Sequence, residues 1–197
     1  MIKMIDDNII NIDLAEIEKL SLWMLSFLML FSIFPFFYVW SDKTSESISE
    51  LGILIDESFL LFIWTLIKSS IIFLLFLIAG LFVHEFIHMI FFALFIKSKF
   101  SGVQFGYDSE KIIPYVHIKE EISIRGFRIG VLMPGIILGI IPLISGMVQG
   151  YLGIFLFGLF FTMGASGDLL ILWHTRHVGP FCLIKDLPDK IGVKVIT

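Results

Sequence analysis

The chain is poor in cysteine and in charge. Cys182 is its single cysteine, so no internal disulfide can form and no Cys-rich metal site exists. Charged residues make up 16% of 197 positions, against about a quarter in a soluble domain. With 57% hydrophobic residues, 22 of them Phe, that scarcity argues against a soluble globule. It argues for one integral membrane domain over residues 1–197. A basic leader is also missing. The first apolar run follows an acidic segment, so it reads as a permanent span and not as a cleaved signal peptide. The sequence shows no internal repeat and no low-complexity segment. The net charge of -4 says little, because charge placement matters more than its sum in a membrane protein.

The apolar runs give the expected topology. Residues 1–21 read as a short helix at the membrane surface. Residues 22–40 form a first span, kinked at Pro35 and ending in the interfacial aromatics Tyr38 and Trp40. Residues 41–57 are a polar connection. Residues 58–96 pose a length problem, since a straight helix of that length would run about 58 Å against an apolar core of about 30 Å. Either the start protrudes or a hairpin turns near Lys68-Ser69-Ser70. No turn signal supports the hairpin, so residues 69–96 are read as one crossing, with Gly80 admitting a close neighbour.

Residues 97–128 are polar, with short strands expected at 102–107, 113–118 and 122–124 and a turn at Asp108-Ser109-Glu110. Residues 129–148 form a third span, interrupted at Met133-Pro134-Gly135 and Ile141-Pro142. Gln149-Gly150 is a tight turn, residues 151–173 are the fourth span, and residues 174–197 are a polar tail. The fold class expected is an all-α polytopic membrane protein of about four transmembrane helices, with a short cytoplasmic β-rich loop after the second. Lys and Arg then divide 12 to 2 in favour of the side that holds both termini. That is the positive-inside pattern of a multi-pass cell-membrane protein with cytoplasmic termini.

Inside the second span stands His84-Glu85-Phe86-Ile87-His88. On a helix, His84 and His88 fall on one face and can grip one zinc ion. Glu85 beside them can take a proton from water as the catalytic base. Three ionisable side chains in an apolar span are costly unless they serve a site. A catalytic zinc usually takes three protein ligands. His117, Asp168, His174 and His177 are the candidates for the third, and Asp168, within the fourth span, fits best. Its expected depth is about 8 Å from the cytoplasmic end, against about 12 Å for His88. Gly164 and Gly167 are expected to let the two helices close up. His117 reads as a surface histidine, and His174 and His177 as part of a basic interfacial flank.

Further motifs follow in order: Pro114-Tyr115-Val116-His117-Ile118-Lys119-Glu120, Arg125-Gly126-Phe127-Arg128-Ile129-Gly130 leading to Leu132-Met133-Pro134-Gly135, Ser166-Gly167-Asp168, and Asp186-Leu187-Pro188-Asp189-Lys190-Ile191-Gly192. With H-E-x-x-H, these motifs make the chain resemble the putative zincin peptidase family of small prokaryotic membrane proteins, itself similar to site-2 proteases. The resemblance implies an intramembrane metalloprotease core, with Zn2+ held by His84, His88 and Asp168 and with Glu85 as general base. One departure stands out. Site-2 proteases carry the late carboxylate as Leu-Asp-Gly, and here the order is Gly167-Asp168-Leu169.

The function expected is hydrolysis of peptide bonds in membrane-associated substrates. The partners expected are the membrane and a protein or peptide substrate, transmembrane in character, with no nucleic acid. The loop strands either pair with an extended substrate segment or cap the cytoplasmic face. Met133-Pro134-Gly135 either opens space beside the metal or makes a simple kink. The alternatives are a non-catalytic membrane protein that binds metal or partners through the same fold, and a transporter. The transporter would need ionisable groups on more spans than two.

Overall fold

The computed structural model describes residues 9–108, 113–187 and 192–196. After strand β1 (Ile9–Asn11), helix α1 (Leu14–Leu28) starts at Asp13, whose carboxylate accepts the Ala15 N–H at 3.3 Å. It continues through a π-helical turn, Met29–Ile33, into α2 (Phe34–Val39). The widened turn lies just before Pro35, which has no N–H to give to an i−4 carbonyl. Together these segments make a 26-residue apolar rod, Leu14–Val39. The first span therefore begins eight residues earlier than expected. Residues 9–21, the described part of the segment expected to be a surface helix, supply instead a strand and the first two turns of this rod.

Helix α3 (Ser41–Glu57) replaces the expected polar connection. Helix α4 (Phe59–Phe95) is a single 37-residue helix, capped by Ser58 and unbroken at Lys68-Ser69-Ser70. The length problem is thus resolved by one rod that outreaches an apolar core, not by a hairpin. Strands β2 (Val103–Asp108), β3 (Ile113–Ile118) and β4 (Ile122–Ser123) follow where expected. The turn expected at Asp108-Ser109-Glu110 lies largely outside the described residues.

Helix α5 (Ile124–Pro134), a second π-helical stretch, Gly135–Ile140, and α6 (Ile141–Gln149) form one 26-residue rod. Gly150 ends it in the left-handed conformation, φ 69°, which glycine adopts without strain. Helices α7 (Leu152–Gly164) and α8 (Ser166–Thr175) meet at Ala165 with a 41° bend. Among the described residues, three helices are thus long and apolar enough to cross a membrane, or four if α7 and α8 count as one span.

The described chain is mostly helical, but the β structure reaches further than one loop. Strands β5 (Leu183–Asp186) and β6 (Gly192–Ile196) come from the expected polar tail. The four-stranded sheet runs β1-β6-β5-β4, all antiparallel, and β2 and β3 form a separate hairpin. Both sheets pack on the end of α4. Phe92, Ala93 and Ile96 of α4 and its C-cap share a buried core with Val103, Ile118, Ile122, Ile124, Phe127, Ile184 and Val193. This core sits one turn beyond His88 and fixes that end of α4 against α5.

Candidate metal centre

His84 and His88 lie one turn apart on α4, with their rings 4.8 Å from centroid to centroid. Asp168 comes from the first turn of α8. Its Oδ2 lies 3.2 Å from His84 Nε2 and its Oδ1 lies 3.5 Å from His88 Nε2. Two donors sharing one tetrahedral zinc at ~2.0–2.1 Å stand about 3.4 Å apart, so both spacings fit a common ion. A second observation agrees. Among the described residues, Asp168 Oδ2 is buried and has no well-aligned hydrogen-bond donor, although His84 Nε2 stands 3.2 Å away. A carboxylate oxygen left without a donor in an apolar bundle is costly, and a cation between the three groups removes that cost.

The tautomer of His88 is set from behind. Its Nδ1 lies 3.0 Å from the Gly130 carbonyl oxygen. A carbonyl only accepts, so Nδ1 carries the proton and Nε2 keeps its lone pair for a metal. The contact needs α5 close to α4, and Gly130 makes that possible. A Cβ there would stand 2.3 Å from the Phe92 ring, which itself stacks on His88. At Gly80 a Cβ would stand 2.4 Å from the Phe161 ring, so this glycine does admit a close neighbour, α7. The closing role expected of Gly164 and Gly167 is not found. A Cβ at Gly164 would meet nothing within 4 Å, and one at Gly167 only Ile17, on α1, at 3.9 Å. Asp168 reaches both histidines from α8, which leaves the α7 axis at the 41° bend at Ala165.

Glu85 completes a group in which its carboxylate and the two imidazoles lie within 4.8 Å of one another. The two carboxylates differ in their surroundings. Asp168 touches both imidazoles at 3.2–3.5 Å, whereas Glu85 turns toward β3, where the Val116 N–H faces it. Beside Asp168, the π-helical stretch leaves a cavity of about 40 Å³ lined by Gly135, Thr162, Ala165 and Asp168 among others. Widened helical turns of this kind recur at functional sites.

The remaining histidines are elsewhere. His117 Nδ1 donates to Asp186 Oδ2 at 2.7 Å, and the same oxygen accepts the Ile118 N–H at 3.2 Å. Burial pushes the Asp186 carboxyl above its ordinary value, against the opposite pull of these two donors. His174 pairs with Glu16 of α1 at 3.1 Å, and His177 is exposed. The Asp186 and Glu16 contacts escaped the sequence reading. Each joins residues far apart in the chain, and no local spacing signals them.

No curated protein and no solved structure matches the chain. A family model described as putative zincin peptidase matches residues 77–183, just over half of the chain, and that stretch contains His84, Glu85, His88 and Asp168. The chain therefore belongs to the putative zincin peptidase family.

Proposed function

We propose that this protein is a zinc-dependent peptidase that works within the membrane and cleaves peptide bonds of membrane-associated protein substrates. The observation that carries this reading is the convergence of His84 Nε2, His88 Nε2 and the Asp168 carboxylate at spacings of 3.2 and 3.5 Å, with Glu85 beside them. Zinc held there supplies Lewis acidity, which acidifies water and polarises a carbonyl. Glu85 takes the proton from the attacking water on its carboxylate and passes it to the leaving amine nitrogen. Asp168 and the two imidazoles would hold the metal. The Gly130 carbonyl keeps His88 in the tautomer that ligation needs.

An apolar substrate segment can reach this site from the side. Phe82, Val83, Phe86 and Met89 of α4 and Phe105 of β2 line an open apolar groove. On the helical wheel Glu85 falls between this groove and the two histidines. Strand β3 offers little to an extended substrate. In its register with β2 the outward positions are 114, 116 and 118. Pro114 has no N–H, the Val116 N–H faces Glu85, and the Ile118 N–H is taken by Asp186. On β2, Phe105 and Tyr107 turn outward by the same register, and among the described residues their main-chain groups have no partner. An extended substrate thus has β2 to pair with.

The test is Glu85→Gln in the full-length protein, read by bound zinc and by cleavage of a library of membrane peptides. Zinc should stay near stoichiometric while cleavage falls by about two to four orders of magnitude. Cleavage at the wild-type rate in this variant would show that Glu85 is not the base. A purely metal-binding or partner-binding protein would show no cleavage in either form.

A further inference from the structure

We propose that the first two turns of α1 are a positioning element for the metal centre, with Ser21 and Glu16 holding α8 in the rotation that aims Asp168 at His84 and His88. This rests on the reading of Asp168 as the third ligand. Helix α8 has ten residues and leaves α7 through a 41° bend, so α7 alone does not fix its rotation. The carboxylate stands about 5–6 Å from the helix axis, and a turn of about 20° would carry it roughly 2 Å. A metal site tolerates about 0.5 Å.

Helix α1 grips α8 at three points. The Ser166 and Ser21 hydroxyls are 2.7 Å apart, and Ser166 is only 4% exposed. Ser21 already gives its one proton to the Ile17 carbonyl at 2.8 Å, so Ser166 donates and Ser21 accepts. Ile17 meets α8 at Gly167, and Glu16 Oε2 reaches His174 Nε2 at 3.1 Å. At 100° per residue, positions 166, 167 and 174 share one face of α8, and Asp168 lies about 150° round from its centre. The grip is on the back of the helix and the carboxylate leaves from the front. Apolar packing alone would tolerate rotation, whereas a buried hydroxyl pair at 2.7 Å is directional. From α5, Arg128 adds a hold on the other end of α8 through the Thr175 and Val178 carbonyls. The α1 residues all lie outside the stretch matched by the family model, so this brace is built by another part of the chain.

The test measures zinc affinity of the full-length protein in detergent by competition with a chromophoric chelator, beside the melting temperature of the zinc-free form. Ser21→Ala and Ser166→Ala should each weaken zinc binding about tenfold, as loss of a residue that orients a ligand does. The double variant should be no weaker than the weaker single, and zinc-free melting should stay at the wild-type value. Should a serine variant not fold, Glu16→Gln, at an exposed position, carries the test with an expected loss of a fewfold. Wild-type affinity in these variants, or a loss matched by a fall in zinc-free melting temperature, overturns the brace. Asp168→Ala separates the two ideas. If it loses zinc while the serine variants do not, the ligand assignment stands and the brace falls. If it keeps wild-type affinity, both fall.

Discussion

Two carboxylates lie within reach of the same pair of imidazoles, and their surroundings give them different work. Asp168 offers one oxygen to each imidazole, at 3.2 and 3.5 Å, while Glu85 faces the strand edge at Val116. Asp168→Ala should therefore lose zinc about as severely as His88→Ala, whereas His117→Ala should keep it, read by metal content after dialysis. At Asp186 the prediction concerns stability. Its folded-state carboxyl holds a proton more tightly than the unfolded one. Its contribution is thus greatest below the unfolded pKa and is lost as pH rises through the folded pKa. Asp186→Asn keeps an acceptor for Ile118 and removes that acid-range dependence. At neutral pH it should stay within about 1 kcal/mol of wild type, while Asp186→Ala, which strands two donors, should cost about 1–3 kcal/mol. Unfolding of the zinc-free protein across pH checks both. The histidine pair at 84 and 88 was legible because helical spacing alone puts both on one face. The partners of His117 and His174 were not legible, being 69 and 158 residues away.

Long apolar runs announced the helices, and their ends proved harder to read. Phe59–Phe95 and Ile124–Gln149 each hold a long apolar window, although Arg125 and Arg128 hid the start of the second. Prolines 35 and 142 each follow a widened turn rather than a break, because a π-helical turn shifts the hydrogen bonds and keeps the rod continuous. The loop strands were read correctly from their β-branched and aromatic content. The alternation in Gly192-Val193-Lys194-Val195-Ile196 was present too, but its partner is the strand at residues 9–11, beyond any local signal. At the level of helix contact, Gly130→Ala tests how closely α4 and α5 must approach. The new methyl would stand 2.3 Å from the Phe92 ring, so α5 must move outward and pull its carbonyl from His88. A destabilisation of about 1–3 kcal/mol by overpacking should come with weaker zinc binding. Calorimetry and chelator competition on one preparation read the two together.

At the scale of the molecule, strands from residues 9–11, 122–123, 183–186 and 192–196 share one sheet at one end of the helices. If the helices cross a membrane, these segments face the same compartment, and the bias of Lys and Arg toward them argues for the cytoplasm. Single-cysteine labelling of intact cells, in a Cys182→Ser background, should then leave positions 119 and 194 unreactive and label position 47. Reaction at 119 or 194 from outside would reverse the orientation. The same sheet also has a consequence for synthesis. Strand β1 is made before helices α1–α8, and its neighbour β6 after them. Until β6 emerges, β1 therefore waits as an unpaired edge, exposed to whatever else could add a strand to it. All eight helices are made ahead of this pairing, and a ribosome that stalls before residue 192 leaves a chain with His84, Glu85, His88 and Asp168 made and its sheet unable to close.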